Sequence, residues 1–274
     1  MKKDFKGIFE NLVNGLGNYC KDCGINCMVL GISGGIDSTL TAAIANKVHK
    51  KFGIKFIGIS IPSNTNEPNE TEAANLVGEA FCGSFGVFNI NAIYYKFLSQ
   101  LNALAGATVS PKIANGNIKA RLRMITLYHL ASLNGGIVLD TDNKTENFTG
   151  FFTIHCDEGD IGVLRELDKT AIFEFAEWMT KNEELFSDFQ RKAIEASMKL
   201  NPTDGNGVGC DLEQFGLPTY KDVDEVVNRQ RHEDVGNVML LHAKTWHKRL
   251  HRPFYVNING EYCDGSGNVF KVML

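Results

Sequence analysis

The chain has 274 residues, 43% of them hydrophobic and 22% charged, which leaves ample length to bury a core and excludes a collagen, a coiled-coil array and a disordered tail. Lys plus Arg number 28 against 32 Asp plus Glu, a formal charge of -4 with no polybasic tract, so nucleic acid and membrane surfaces are not expected partners. Gly 27 against Pro 6 suits an α/β enzyme with glycine-built loops better than a linker-rich assembly.

The amino terminus Met1-Lys2-Lys3-Asp4 is followed by no apolar leader, and residues Lys6 to Tyr19 carry Ile8, Phe9, Leu12, Val13 and Leu16 at the spacing of an amphipathic helix. Cys27 to Ile32 reads as a strand, and Leu40, Ile44 and Val48 mark the helix after it. Phe56 to Ile61 and Phe85 to Ile90 are further strands, alternating with helices over Glu70 to Phe81 and Ile93 to Leu104. The longest helical pattern is Asn117 to Leu133, with Ile118, Leu122, Ile125 and Leu133 on one stripe, and Gly135-Gly136 ends it before a strand at Ile137 to Asp140. Thr141 to Gly162 lacks periodicity and reads as a functional loop. Helices are expected at Lys169 to Thr180, Glu183 to Met198, Lys221 to Arg231 and Val235 to Leu250, with a patternless stretch from Asn201 to Gly216 between them. Strand-like Phe254 to Ile258 and Val269 to Met273 flank a hairpin-like Gly260 to Asn268. The expected architecture is α/β: one domain over residues 1–274 with a doubly wound, mostly parallel sheet and helices on both faces.

The seven cysteines, at positions 20, 23, 27, 82, 156, 210 and 263, form no disulfide framework, which suits a reducing cytoplasm. Cys20 and Cys23 have C-x-x-C spacing, but no second pair follows to complete a zinc site, so with Cys27 they read as small buried hydrophobes.

The strongest motif is Gly31-Ile32-Ser33-Gly34-Gly35-Ile36-Asp37-Ser38, at a strand-to-helix turn. Successive glycines let backbone N–H groups approach a phosphate, the helix offers its positive end, and Ser33 and Ser38 add hydroxyls. A carboxylate at Asp37 suits such a site if a divalent cation lies between it and the phosphate; otherwise Asp37 or Ser38 caps the helix. Neither a Walker A loop nor a G-x-G-x-x-G fingerprint occurs at this turn.

This S-G-G-x-D-S turn resembles the pyrophosphate loop of the ATP pyrophosphatase superfamily, whose adenine nucleotide α hydrolase-like fold the resemblance implies. Asn117 to Met124 with Leu127-Tyr128, then Asp140-Thr141-Asp142-Asn143-Lys144-Thr145-Glu146 and Thr149-Gly150-Phe151-Phe152-Thr153, resemble the NAD synthetases within it. The likeness continues through Lys169, Asn201-Pro202-Thr203, Gly216 to Tyr220 and His247-Lys248-Arg249, and leaves the tail 254–274 without a role.

The resemblance implies ATP contacts from the Gly31 to Ser38 loop, Thr141, Lys169 and Thr203. It implies Mg²⁺ held by Asp37 and Glu146, and deamido-NAD contacts from Arg121, Asp160, His247 and Lys248. Catalysis would fall to Asp37, Glu146 and Lys169. The implied reaction is amidation of deamido-NAD by ammonia, through an adenylate with release of AMP and pyrophosphate, in a cytoplasmic homodimer. With nearly the whole length consumed by the resemblance, no built-in glutaminase is expected. An enzyme of the same fold that adenylates a different substrate is the alternative. On the residues alone, Glu146 is equally a helix-start partner of Asn143, Lys169 an ordinary first-turn lysine, and the Arg121 and His247-Lys248 clusters solvated cations. The chain departs from the family pattern at Asp140, where glycine is usual, and over Ile154 to Asp160, where Ile154 replaces a lysine and His155 is the candidate substitute.

Overall fold

Residues Cys27–Gly31 form strand β1, whose alternating side chains feed two cores: Met28 and Leu30 on one face, Cys27 and Val29 on the other. Both sets are fully buried, as in a strand covered on each side. The computed structural model describes residues 3–106, 112–201, 211–250, 253–269 and 271. Helix α1 (Phe5–Asp22) precedes β1, and α2 (Ile36–Phe52), β2 (Lys55–Ser60), α3 (Pro68–Phe81), β3 (Ser84–Val87), α4 (Asn91–Leu104), α5 (Lys112–Leu133) and β4 (Gly136–Asp140) follow. The second half contains α6 (Lys144–Thr149), β5 (Ile161–Gly162), α7 (Lys169–Thr180), α8 (Asp188–Met198), α9 (Asp211–Phe215), α10 (Tyr220–Val227) and α11 (Val238–Lys244). A 3-10 turn at Trp246–Leu250 and strands β6 (Phe254–Val256) and β7 (Tyr262–Cys263) close it.

The sheet order is β3-β2-β1-β4-β5-β6-β7, parallel throughout except for the antiparallel β6–β7 pair. This is the doubly wound, mostly parallel sheet expected from the alternation of strands and helices. Winding departs from β1 toward β2 on one side and β4 on the other, so the crevice beyond the carboxyl ends of β1 and β4 is a topological switch point, where such sheets bind ligands. The larger core gathers side chains from α1, α2, α3, α7 and α8, while α5 covers the opposite face. A third cluster, built on Phe215, Val223, Val226 and Val238, joins α9, α10 and α11 beside Phe148 and Phe151.

Several sequence expectations are corrected. The buried stripe of α5 is Gly116, Ala120, Met124, Leu127 and Ala131, whereas Ile125 and Leu133 are 65% and 69% exposed. Both stripes have helical spacing, and periodicity alone does not say which one meets the sheet. The loop from Thr141 to Gly162 contains α6 and β5. Asn143 caps α6 by accepting from Glu146 N–H at 3.0 Å while Glu146 accepts from Asn143 N–H at 3.2 Å, a capping box inside a stretch too short to show periodicity. Helix α8 begins at Asp188 rather than Glu183 because Ser187 and Gln190 form another such box. The expected helix Val235 to Leu250 is divided into α11 and the 3-10 turn, and Lys221 to Arg231 shortens to α10. Of the expected strand Val269 to Met273, Val269 forms an isolated bridge with Cys263; Phe270 and residues 272–274 lie outside the described residues. The tail beyond the resemblance continues the sheet, β6 pairing with β5.

Candidate functional site

At the switch point lies a cleft of about 760 Å³. The turn between β1 and α2 forms one wall, and apart from Gly34 every residue from Gly31 to Ser38 lines it. Gly34 serves the turn differently. It has φ +88°, and a Cβ there would lie 2.4 Å from the Glu70 carbonyl oxygen and 2.8 Å from Ala74 N on α3. The turn is organised by its own hydroxyls: Gly35 N–H donates to Ser33 Oγ at 3.2 Å, Ser33 and Ser38 hydroxyls lie 2.9 Å apart, and Ser38 Oγ is 3.0 Å from the Gly35 carbonyl. The turn thus lines the cleft with glycine backbone, the start of α2 and two hydroxyl side chains, the kinds of group an anion site uses.

Asp37 lies in that first turn and meets residues from beyond β4 and β5. Lys169, the first residue of α7, is 4% exposed and donates to Asp37 Oδ2 at 2.5 Å and to Glu146 Oε1 at 3.2 Å. Asn143 Nδ2 donates to Asp37 Oδ1 at 2.8 Å, so the capping box of α6 also fastens Glu146 beside Asp37. Glu146 is the helix-start partner of Asn143, and it also lines the cleft. Burial disfavours the Lys169 ammonium, but Asp37 and Glu146 outweigh it and hold the group above the ordinary lysine value. Burial pushes Glu146 up to about 7 against the pull of Lys169, with the Asp37 charge adding to the rise. Two carboxylates thus share one cation next to the Gly31 to Ser38 turn. Hard oxygen donors from two carboxylates, with remaining positions left to phosphate and water, fit Mg²⁺.

Thr141, Arg121 and Lys248 line the same cleft. Lys248 Nζ donates to the carbonyls of Gly150, at 2.7 Å, and Phe152, and burial lowers its proton affinity. Arg121 Nη2 reaches the Ile154 carbonyl at 3.4 Å. Asp160 and His247 do not line the cleft. Asp160 instead joins α5 to β4, accepting from Tyr128 OH at 3.0 Å and from Val138 N–H at 2.8 Å. Between Ile154 and Asp160 the carboxylate that lines the cleft is Asp157, which accepts from Thr153 N–H and is pushed above its usual value by burial. His155 is exposed with φ +64° and lines a smaller pocket with Arg121, Met124, Ile125 and Tyr128, whereas Ile154 lines the main cleft. Thr203 lies outside the described residues. Cys20 and Cys27 are buried, as expected, and Cys23 is exposed.

The sequence reading missed several residues. Asn143 was legible as the start of an Asn-x-x-Glu capping box, but its link to Asp37 was not. Asp211 lines the cleft and accepts from Tyr220 OH at 2.7 Å, while the Tyr220 ring centroid lies 5.7 Å from Lys169 Nζ. Arg165 forms a buried pair with Asp140 at 2.7 Å, beneath the loop that carries Thr141 and Asp142. No local pattern distinguishes Asp211 and Arg165 from surface polar residues.

A doubly wound, mostly parallel sheet with a glycine-and-hydroxyl turn after β1 and a cleft at its switch point belongs to the adenine nucleotide α hydrolase-like class of folds. A family model described as NAD synthase matches residues 8–251, and the chain belongs to that family, a family of ligases. It is 31% identical over 230 residues to the NH(3)-dependent NAD(+) synthetase of Thermoplasma volcanium, covering 81% of this chain and 86% of that one. The enzyme of the same name from Carboxydothermus hydrogenoformans is 31% identical over 252 residues, covering 91% and 97%. Among solved structures, an NMN synthetase from Francisella tularensis superposes with a TM-score of 0.78 at 26% identity, covering 90% of this chain and 97% of that one.

Proposed function

We propose that the protein amidates deamido-NAD to NAD with ammonia, at the expense of ATP. The observation that carries this is the convergence of Asp37, Glu146 and Lys169 on the Gly31 to Ser38 turn. In this reading the turn N–H groups, Ser33 and Ser38 hold the β and γ phosphates. A nicotinate carboxylate oxygen attacks the α-phosphorus, and the bond to the bridging oxygen breaks as pyrophosphate leaves. Lys169, fixed and desolvated, stabilises the charge that develops on the departing group. Asp37 and Glu146 would hold Mg²⁺, which neutralises polyphosphate charge. Ammonia then attacks the acyl carbon of the adenylate, AMP departs with the acyl oxygen's electron pair, and a proton is lost from nitrogen to give the carboxamide. Arg121 and Lys248, both at the cleft, are proposed to receive the anionic dinucleotide; Thr141 is proposed to contact ATP. Asp160 and His247, away from the cleft, would need to reach the substrate from its outer side.

The same reading makes the protein a cytoplasmic homodimer. Support for a dimer comes from the number of large apolar side chains exposed on two helices, Ile93, Tyr95 and Phe97 of α4 and Ile113, Ile125 and Leu133 of α5. Among the described residues no helix is long and apolar enough to cross a membrane.

Incubation with ATP, Mg²⁺, ammonium and deamido-NAD is expected to yield NAD and AMP; a protein that binds ATP but forms neither overturns the reading. A second reading, that the acid substrate is the mononucleotide, is favoured by the TM-score of 0.78 to the NMN synthetase and by the changed Ile154 to Asp160 loop. Parallel assays with nicotinate mononucleotide decide between them by the ratio of kcat/KM values.

A further inference from the structure

Asp224 lies on α10, remote in sequence from both α6 and the start of α7, and it does not line the cleft. It is nonetheless 4% exposed, and both its oxygens are engaged. Oδ1 accepts from Thr145 Oγ1; Oδ2 accepts from Thr170 N–H at 2.7 Å and from Thr170 Oγ1 at 2.6 Å. Thr145 Oγ1 in turn accepts the backbone N–H of Lys169 at 3.0 Å. Thr145 immediately precedes Glu146, and Thr170 immediately follows Lys169. A single buried carboxylate therefore ties together the backbones that carry the two side chains meeting at 3.2 Å in the cleft.

The neighbouring turns of α10 repeat the arrangement. Asn228 donates to Asp168 Oδ2, the cap residue of α7, at 2.8 Å and accepts from Lys144 Nζ, at the start of α6, at 2.6 Å. Tyr220 lies against Lys169 Nζ from the turn before. Positions 220, 224 and 228 share one face of the helix. A buried carboxylate is costly unless donors satisfy it, and every donor to Asp224 belongs to a residue adjacent to Glu146 or Lys169. The positive end of α7 adds to its stabilisation.

We propose that Asp224 is a positioning residue for adenylate formation: it sets the register of α6 against the first turn of α7, and through it the Glu146–Lys169 contact. The proposal rests on the reading of Glu146 and Lys169 as reacting machinery. It touches no substrate, so its loss acts on the rate of the chemical step rather than on nucleotide binding. Displacement of a reacting group by about 1 Å costs on the order of a hundredfold in rate.

The test compares Asp224→Asn, Thr145→Val, Thr145→Ser, the Asp224→Asn/Thr145→Val double variant and Glu146→Gln, by kcat, KM for ATP and thermal unfolding. In Asp224→Asn the amide NH₂ cannot accept from Thr145 Oγ1, and kcat is expected to fall about 10–100-fold, with KM for ATP within about twofold of wild type and the unfolding transition still cooperative. Thr145→Val is expected to reproduce the loss, Thr145→Ser to keep the wild-type rate, and the double variant to be no worse than Asp224→Asn. Full kcat in Asp224→Asn beside an inactive Glu146→Gln overturns the positioning role alone. So do losses that multiply in the double variant, or a change confined to KM. Full kcat in Glu146→Gln overturns the reading of the site and the proposal with it. Should Asp224→Asn not fold, Thr145→Val against Thr145→Ser decides: equal rates in the two overturn the proposal.

Discussion

The side-chain amide of Asn143 donates to Asp37 Oδ1 at 2.8 Å, so the turn after β4 is fastened to the helix that follows β1 across the switch point of the sheet. The same residue holds Glu146 in a capping box, which brings both candidate Mg²⁺ carboxylates to one place.

Removal of either carboxylate should stop the first half-reaction. Asp37→Ala and Glu146→Ala are each expected to lower ATP-dependent pyrophosphate release by about a hundredfold or more, the scale set by loss of one electrostatic stabiliser in a desolvated site. Pyrophosphate release measured with deamido-NAD and no ammonium isolates that step; full release from either variant removes the proposed metal site.

Gly34→Ala tests the turn. The backbone at φ +88° and the 2.4 Å approach to the Glu70 carbonyl leave no room for a methyl group without movement of α3. A cost of about 1–3 kcal/mol is expected from strained backbone geometry of this kind, measured by urea unfolding, together with weakened ATP binding.

The Asp140–Arg165 pair is 2.7 Å long, with side chains 0% and 5% exposed, and Asp140 Oδ1 also accepts the Asp142 N–H at 2.9 Å. Arg165→Met leaves the Asp140 charge buried beneath the Thr141–Glu146 loop, and a loss of about 3–5 kcal/mol in unfolding free energy is expected. Asp140→Gly/Arg165→Met removes both charges and should recover part of that loss; a double variant less stable than Arg165→Met contradicts this account.

The pH dependence of the ligand-free protein follows from Glu146, whose carboxyl rises from an ordinary 4.5 to about 7 on folding. A group with a raised folded value contributes stability that is fully present below its unfolded value and is lost as pH rises through the folded one, so the thermal midpoint should fall between pH 4.5 and about 7. The buried carboxyls of Asp142 and Asp157 shift in the same direction and add to the decline. Glu146→Gln should flatten the curve in scans of unfolding against pH; an unchanged slope refutes the assignment.

Much of this molecule was legible in the chain itself. Strand and helix alternation, the parallel sheet and the turn at Gly31 to Ser38 follow from local periodicity and from glycines whose backbone demands are local. Lys169 and Glu146, which the resemblance singles out, both line the cleft. The tertiary structure decided the rest. Whether Ile125 or Met124 of α5 faces the sheet depends on the orientation of the helix about its axis, because both lie on stripes of helical spacing. That Asp157 rather than Asp160 lines the cleft depends on Asp160 being used to join Tyr128 to Val138. The meetings of Asn143 with Asp37, Arg165 with Asp140, and Asp224 with Thr145 and Thr170 exist only because the strand order places β1, β4 and β5 side by side and α10 against two helix starts. Spacing along a chain encodes the face of a helix or strand; contacts between side chains far apart in sequence depend on which elements become neighbours, and that is settled by packing the whole sheet.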